Sequence, residues 1–228
     1  MLLIGLDDTD TLESRGTGHL ARAIAGELAG YARVLGVTRH QLLKDPRVPC
    51  TQKNSCAAIH LSPAFGTPVE SVVDRVRERV LADFQPGSDP GLCVGNGVSR
   101  EVIDFGWRAK RELLSQGEAR ALAEAHGLTL LGLGGTQDGV IGALAAVGLA
   151  ASGDDGRYVL VGRSRELEGL LPVAALREAG IHAVQTAEGK PVTSGLVMAD
   201  KLRPARRGGR AVAIVRWVDG YWQPLKLD

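Results

Sequence analysis

The sequence has little cysteine, and its cysteines are not grouped. Three are present, Cys50, Cys56 and Cys93, and none of them forms a CxxC pair. An odd, sparse set of this kind argues against a disulfide framework and against a zinc ribbon. The sequence therefore points away from domains that depend on covalent cross-links or on structural zinc.

Long apolar runs are also missing. The longest, at residues 140–151, is interrupted by glycine and is shorter than the roughly 18 residues that mark a membrane-spanning helix. Met1 leads directly into an apolar segment, without the basic region and long apolar core of a secretory signal. We therefore expect a cytoplasmic protein with no membrane partner.

An excess of charge of one sign is absent overall but not locally. The formal net charge is +1, yet residues 157–228 contain 12 Lys and Arg against 7 Asp and Glu, which leaves 15 against 19 in the rest. A basic C-terminal part suggests an anionic partner, although a solvated basic face fits equally well. Its basic loop could contact nucleic-acid backbone, but the solvated tip of a hairpin is the favoured interpretation. The loop comprises Lys201, Arg203, Arg206, Arg207 and Arg210.

What is present is an alternation of strand and helix patterns, which predicts an α/β (α+β) fold. Strands are expected at 2–6, 34–37, 57–61, 128–131, 158–161, 181–185, 195–198 and 211–217, and residues 92–94 form a short apolar stretch between glycines. Helices are expected at 17–30, 69–84, 119–126, 140–151 and 172–179, with a further segment capped by Ser99. The pattern changes after the Gly-Asp-Asp-Gly segment at 153–156. We therefore predict two parts, an α/β domain at 1–153 and a smaller, mildly basic, strand-rich α+β module at 154–228.

The first chemical motif is Asp7-Asp8-Thr9-Asp10, directly after the first strand. Three carboxylates within four residues repel one another unless a cation joins them, and Mg²⁺ is normally held by carboxylates together with substrate phosphates. Ends of strands are also where open α/β sheets bind ligands. The alternative is an acidic loop that caps backbone amides; the strand placement and a nearby glycine loop favour a cation site.

Two glycine-rich segments precede predicted helices. Thr17 lies between Gly16 and Gly18 at a helix start, where free backbone amides attract an anion. From the residues alone, a helix cap is the favoured role of Thr17. Residues 132–139, which include Gly135 and Gly139, join a strand to a helix and are typical of a phosphate-binding loop; a tight turn is the alternative.

Other polar residues carry weaker signals. Within the polar segment 51–56, Lys53 could neutralise phosphate charge and Asn54 could donate hydrogen bonds, although a solvated loop is equally compatible. His40 and His60 have no partner at metal-ligand spacing, so we expect satisfied or surface histidines.

In this order the motifs resemble the archaeal tRNA-isoleucine agmatidine synthetase family, whose members use ATP to join agmatine to an anticodon cytidine. The residues that carry the resemblance are Gly5-Leu6-Asp7-Asp8-Thr9-Asp10, Gly16-Thr17-Gly18-His19-Leu20-Ala21, Val48-Pro49, Lys53-Asn54, Ala57 and Gly139-Val140-Ile141-Gly142-Ala143-Leu144-Ala145-Ala146. The resemblance covers roughly residues 1–150 and implies the ATP-binding, kinase-like part of the family with a ferredoxin-like or small strand-rich companion. The OB-fold and zinc ribbon of the family are not expected, because four zinc-ligand cysteines are lacking.

The resemblance also implies a chemistry. ATP and Mg²⁺ are the expected cofactors, Asp7, Asp8 and Asp10 are expected to hold the metal and the triphosphate, and Thr17 matches the threonine that receives phosphate in the family. Catalytic roles thus fall on Asp7, Asp8, Asp10 and Thr17, and cofactor contacts on Thr9, Gly16, Gly18, Lys53, Asn54, Gly135 and Gly139. The prediction is an ATP-dependent ligase or kinase-like phosphotransferase with a small amine or RNA acceptor. The alternative is a non-catalytic nucleotide-binding or RNA-binding module.

Overall fold

The computed structural model describes residues 1–48, 50, 53–64 and 66–225. The predicted positions Pro49, Thr51 and Gln52 lie outside these ranges. The strands are β1 Leu2–Asp7, β2 Ala32–Gln41, β3 Ser55–Pro63, β4 Gly91–Asn96, β5 Thr129–Gly132, β6 Arg157–Leu160, β7 Leu170–Pro172, β8 Ala183–Thr186, β9 Leu196–Met198, β10 Ala205–Arg207, β11 Arg210–Val218 and β12 Tyr221–Pro224. The helices are α1 Thr17–Leu28, α2 Val69–Ala82, α3 Arg100–Arg108, α4 Gln116–Ala125, α5 Gly139–Ser152 and α6 Val173–Glu178.

The predicted α/β class is confirmed, but the pairing around the central strand is antiparallel. β1 pairs antiparallel with β3 on one side and β4 on the other, and the sheet order is β5-β4-β1-β3-β2-β6-β10-β11-β12-β9-β7. α1 and α2 pack on one face of β1 and its neighbours, while α3, α4 and α5 pack on the other. The acidic motif follows directly on the end of β1, as predicted.

Helix α5 is apolar on all sides and lies unusually close to the sheet. A Cβ atom on Gly5 would lie 2.0 Å from the carbonyl oxygen of Ala143, and one on Gly91 would lie 2.0 Å from that of Gly139. Such distances leave no room for a side chain, so glycine at these positions is what permits the contact. This explains why glycines recur in β1, β4 and the start of α5.

The C-terminal part continues the same sheet and has its own apolar cluster. β6 pairs antiparallel with both β2 and β10 and so joins the two halves. A separate core cluster is formed entirely by residues between Tyr158 and Trp222. The division at residue 153 remains a prediction. In the part of the chain that the structure describes, no helix has the length and apolar character needed to cross a membrane.

The expectation of a solvated tip for the basic loop is wrong for one residue. Arg206 is buried, and its guanidinium group donates to the Tyr158 hydroxyl (2.5 Å) and to the carbonyl oxygens of Ala150 (3.2 Å) and Gly209 (2.9 Å). It therefore ties the C-terminal strands to the end of α5. Arg207 and Arg210 remain exposed beside the β10–β11 turn.

His40 and His60 belong to a buried polar network at the junction of the two halves of the sheet. His40 Nδ1 lies 2.8 Å from Asp155 Oδ2, and Lys110 Nζ lies 2.7 Å from Asp155 Oδ1. The Thr38 hydroxyl lies 2.8 Å from His40 Nε2 and 2.9 Å from His60 Nε2. His40 is thus satisfied as expected, whereas His60 Nδ1 has no hydrogen-bond partner among the described residues.

Candidate active site

The acidic motif turns away from the sheet at its second residue. Asp7 is the last residue of β1, opposite Gly91 on β4, and Asp8 has the left-handed backbone angle φ 49°. A positive φ is uncommon for a residue other than glycine and occurs most readily at Asp and Asn. The turn brings the carboxylates of Asp7, Asp8 and Asp10 to one pocket.

Two residues of the acidic motif, Thr9 and Asp10, hold Thr17 by hydrogen bonds. Its hydroxyl donates to Asp10 Oδ1 at 2.8 Å, its backbone N–H donates to the same oxygen at 3.1 Å, and the Thr9 hydroxyl donates to Thr17 Oγ1 at 3.1 Å. The helix N-cap is Gly16, without a side-chain cap, so the helix-cap role favoured for Thr17 is wrong. Its hydroxyl is instead fixed against a carboxylate.

The pocket has a volume of about 240 Å³ and brings together most of the predicted site. Its lining includes the predicted residues Asp7, Asp8, Asp10, Thr17, Lys53, Asn54 and Gly139. Thr9 is buried behind Thr17, and Gly135 is not among the residues that line the pocket. The pocket is also lined by Arg47, Glu112, Leu113 and Gly142, which sequence reasoning did not select.

Two further aspartates, Asp89 and Asp138, line the same pocket. Asp89 precedes β4, and Asp138 precedes α5, so both lie at element ends beside Asp8. No motif marks Asp89 in the sequence, and its only signal is its position directly before Pro90 and a buried strand. Five aspartates therefore converge on a pocket for which sequence reasoning identified three.

This convergence changes how the carboxylates ionise. Burial, and then the charges of Asp8 and Asp10, raise the pKa of Asp7 to about 8. Burial, and then the charges of Asp89 and Asp10, raise the pKa of Asp8 to about 6. The pocket therefore holds more negative charge than its own cations neutralise.

A divalent cation fits this charge. Among the described residues no three His, Cys, Asp or Glu side chains form a ready metal-binding group. Mg²⁺ does not require one, because it usually keeps several waters and binds through one or two carboxylates plus substrate phosphates. Asp8 and Asp10, beside the buried Asp7, supply such carboxylates.

The glycine-rich loop encloses Asp89. The Asp89 carboxylate accepts hydrogen bonds from the backbone N–H of Thr136 (2.7 Å) and from its hydroxyl. A Cβ atom on Gly135 would collide with Asp89 Oδ1, and one on Gly139 would lie 2.1 Å from the Asp89 carbonyl oxygen. Gly135 thus packs on a protein carboxylate, which leaves Gly139 as the loop glycine at the pocket.

A second pocket adjoins the first. Asp10, Thr17, Lys53 and Ser55 line both pockets, and the second also includes Gly16, Gly18 and His19. Arg39 and Cys56, on β2 and β3, line the second pocket as well. Thr17 therefore lies at the boundary shared by an acidic pocket and a pocket with basic residues.

The comparisons with known proteins converge on one enzyme. No protein-family model matches the chain. Over 161 residues, 67% of the chain, it is 33% identical to the tRNA 2-agmatinylcytidine synthetase TiaS of Haloquadratum walsbyi, of which the match covers 34%. The chain carries an agmatidine-synthetase-like domain. The resemblance predicted from the motifs is confirmed.

Other relatives agree with this domain. Over 153 residues, 65% of the chain, the identity to an uncharacterised protein of Methanocaldococcus jannaschii is 31%, and the match covers 50% of that protein. The crystal structures of apo TiaS and of TiaS in complex with its tRNA and ATP match 64% of the chain with TM-scores of 0.56 and 0.57 and identities of 23% and 24%. The matched regions cover 35% and 36% of the two TiaS chains, respectively. The agmatidine-synthetase-like domain thus spans half or less of each relative.

Proposed function

We propose that the chain is an ATP-dependent phosphotransferase or ligase that acts on a nucleotide acceptor, with Thr17 as the residue that receives phosphate. The observation that carries the proposal is the position of the Thr17 hydroxyl, 2.8 Å from Asp10, in a residue that lines two adjoining pockets. The sequence similarity to a synthetase named for its 2-agmatinylcytidine product supports the choice of a nucleotide acceptor.

The acidic pocket is the proposed site of Mg-ATP. Asp7, Asp8 and Asp10 would hold Mg²⁺, and Lys53 and Asn54, which line the same pocket, would contact the triphosphate. When bound, Mg²⁺ neutralises the charge of the carboxylates and of the phosphates. Phosphoryl transfer depends mainly on such positioning and charge neutralisation, which matches a pocket rich in charged side chains.

Thr17 supplies the nucleophile. Its oxygen attacks the γ-phosphorus of ATP, a new O–P bond forms, and the bond from the γ-phosphorus to the bridging oxygen breaks to release ADP. Asp10 Oδ1 already accepts the Thr17 hydroxyl hydrogen, so it is placed to take that proton. Thr17 also lines the second pocket, which would then offer phosphothreonine to the acceptor.

Catalysis accounts for this arrangement better than binding alone. A nucleotide-binding module needs the aspartates for Mg²⁺, but it does not need a hydroxyl held by one of them. Thr9 also donates to Thr17 Oγ1, which leaves the hydroxyl hydrogen directed at Asp10. The side chains are thus organised around one oxygen atom.

The proposal is tested by incubating the purified protein with Mg²⁺ and ATP labelled on its γ-phosphate. We expect the wild-type protein to become labelled, and Thr17→Val and Asp8→Asn to lose at least about 100-fold of the labelling rate, as is typical of essential groups in phosphoryl transfer. Thr193→Val, which changes an exposed threonine of the C-terminal part, is the matched control and should retain the wild-type rate. If ATP stabilises the wild-type protein against heat but does not label it, that result would instead support the non-catalytic alternative.

A further inference from the structure

His19 has no role in the proposed transfer of phosphate from ATP to Thr17. It lies two residues after Thr17, in the first turn of α1, and is half-buried. Both residues line the second pocket, but of the two only Thr17 is among the described residues that line the acidic pocket. His19 is therefore placed to act on a molecule in the second pocket rather than on ATP.

Both ring nitrogens of His19 face guanidinium groups. Nε2 lies 3.0 Å from Arg15 Nη1, and Nδ1 lies 3.3 Å from Arg22 Nη2. A guanidinium group only donates hydrogen bonds, and a neutral imidazole has an acceptor lone pair on one nitrogen only. At most one of the two contacts is therefore a hydrogen bond, and the shorter distance assigns the lone pair to Nε2.

The surroundings of His19 keep its ring neutral. Burial, and then the charges of Arg15 and Arg22, lower the pKa of His19, while Asp83, directly after α2, opposes them. The other charged residues that line the second pocket are Asp10, Arg39 and Lys53. A protonated ring would also direct an N–H group at each of the two guanidinium groups. His19 therefore keeps its lone pair near neutral pH.

A second transfer, from the threonine to an acceptor, needs a base other than Asp10. Asp10 takes a proton in the first transfer, so it is already protonated when the threonine carries phosphate. Among the described residues that line the second pocket, Arg39 and Lys53 are donors without a lone pair. Burial raises the pKa of the Cys56 thiol, which therefore keeps its proton. Of the titratable side chains described in this pocket, His19 remains as the proton acceptor.

We propose that His19 is the general base of the second transfer, in which an acceptor takes the phosphate from phosphorylated Thr17. This inference rests on the proposed function, because it requires phosphate on Thr17. The acceptor oxygen attacks the phosphorus, a new O–P bond forms, and the bond from phosphorus to Thr17 Oγ1 breaks. The acceptor proton goes to His19 Nε2, and Thr17 Oγ1 regains the proton that Asp10 took in the first transfer.

Arg15 is the group that must leave Nε2 before this step. It is exposed, whereas Arg22 is anchored by its Nε, which donates to the Gly18 carbonyl oxygen at 3.2 Å. Guanidinium groups bind phosphate through paired, charge-assisted hydrogen bonds. Phosphate on Thr17 therefore draws Arg15 away from His19 and uncovers the lone pair for the acceptor.

The test follows the release of labelled inorganic phosphate from the full chain, with water as the acceptor. The protein is labelled with Mg²⁺ and ATP that carries a label on its γ-phosphate, freed of nucleotide, and sampled from about pH 5 to about pH 9. We expect the wild-type rate to rise with pH and to level off above the pKa of His19. His19→Gln should release phosphate at least about 100-fold more slowly, without this rise. His126→Gln, which changes an exposed histidine, is the matched control and should behave like the wild type.

Arg15→Gln distinguishes a base from a histidine that only supports the fold. It removes an exposed cation beside His19, so the pKa of His19 should rise and the midpoint of the rate profile should move to higher pH. Arg77→Gln, at an exposed position of α2, should leave the midpoint in place. A purely structural histidine would give no midpoint to move. The shift also decides the question should His19→Gln fail to fold.

The outcomes separate this inference from the proposed function. A labelled protein in which His19→Gln releases phosphate at the wild-type rate, or in which Arg15→Gln leaves the midpoint unchanged, would overturn the inference alone. A wild-type protein that ATP never labels would contradict the proposed function and, with it, the inference.

Discussion

At the scale of the individual residue, the environment of Asp7 opposes its charge. Its pKa is raised to about 8 because it is buried beside Asp8 and Asp10. The folded protein therefore binds a proton that the unfolded chain releases near pH 4, so this residue lowers stability progressively as pH rises from about 4 to about 8. A site of this kind lowers the free energy of unfolding when no cation is bound, because its carboxylates are grouped to bind one.

Asp7→Asn removes this cost, because the amide carries no charge at any pH in that range. We expect the free energy of unfolding without ligand to rise by at least about 1 kcal/mol at pH 7, with a smaller gain at pH 5. Urea denaturation at both pH values measures it. Asp74→Asn, at an exposed position of α2, should change neither value. Destabilisation by Asp7→Asn at pH 7 would contradict the account of its charge.

The residues of the site were partly predictable. Asp7, Asp8 and Asp10 stand next to one another in sequence, so their proximity needed no tertiary information. Asp89 and Asp138 reach the pocket only because β4 pairs with β1 and α5 packs on both, and no local pattern encodes those contacts. Gly135 was assigned to a phosphate, but a carboxylate of the protein itself occupies its open side.

At the scale of elements, the site rests on the contact between α5 and β1. A Cβ atom on Gly142 would lie 1.8 Å from Asp7 Oδ2 and 2.9 Å from Asp7 Cβ. We expect Gly142→Ala to lower the free energy of unfolding by about 1–3 kcal/mol, the usual effect of overpacking, and to displace the Asp7 carboxylate. Denaturation and ATP-dependent thermal stabilisation measure the two effects.

The same substitution in α1 gives a control of opposite sign. Gly26 is exposed within the helix, and nothing lies within 4 Å of the Cβ that alanine would add. Gly26→Ala should therefore stabilise the protein by about 0.5–1 kcal/mol and leave ATP binding intact. Equal effects of the two substitutions would mean that α5 does not approach β1 as closely as described.

Most helices and long strands were predictable, because their apolar periodicity is local. Ser99 was correctly predicted as a helix cap, since it accepts a hydrogen bond from the backbone N–H three residues later. The strands β7 and β10, of three residues each, were missed. The antiparallel pairing of β1 was also inaccessible, because pairing direction depends on partners distant in sequence.

In the whole molecule, Asp155 links the two halves. Its carboxylate accepts from both His40 and Lys110, and although burial opposes its ionisation, these two partners lower its pKa. Asp155→Asn leaves the half-buried Lys110 charge without a counterion, so we expect a loss of about 3 kcal/mol of unfolding free energy. Denaturant titration of the variant measures this loss.

Asp104→Asn, in the exposed ion pair with Arg100, is the control and should cost less than about 1 kcal/mol.

Acid should also weaken the network. Burial lowers the pKa of His40, and the pKa of Asp155 is lowered as well, so the unfolded chain binds more protons and this contribution is lost as pH falls below about 6.5. A junction held only by the sheet would show neither the loss in Asp155→Asn nor its dependence on acid.

The central claim is that Thr17 receives the γ-phosphate of ATP. Mass spectrometry of the full chain after incubation with ATP and Mg²⁺ tests this most directly, because it identifies the modified residue without assuming an acceptor. We predict one added phosphate on the peptide that contains Thr17, absent after incubation without Mg²⁺ and absent from Asp10→Asn. Phosphate on a different residue, or an unmodified Thr17 in a protein that nevertheless consumes ATP, would contradict the account.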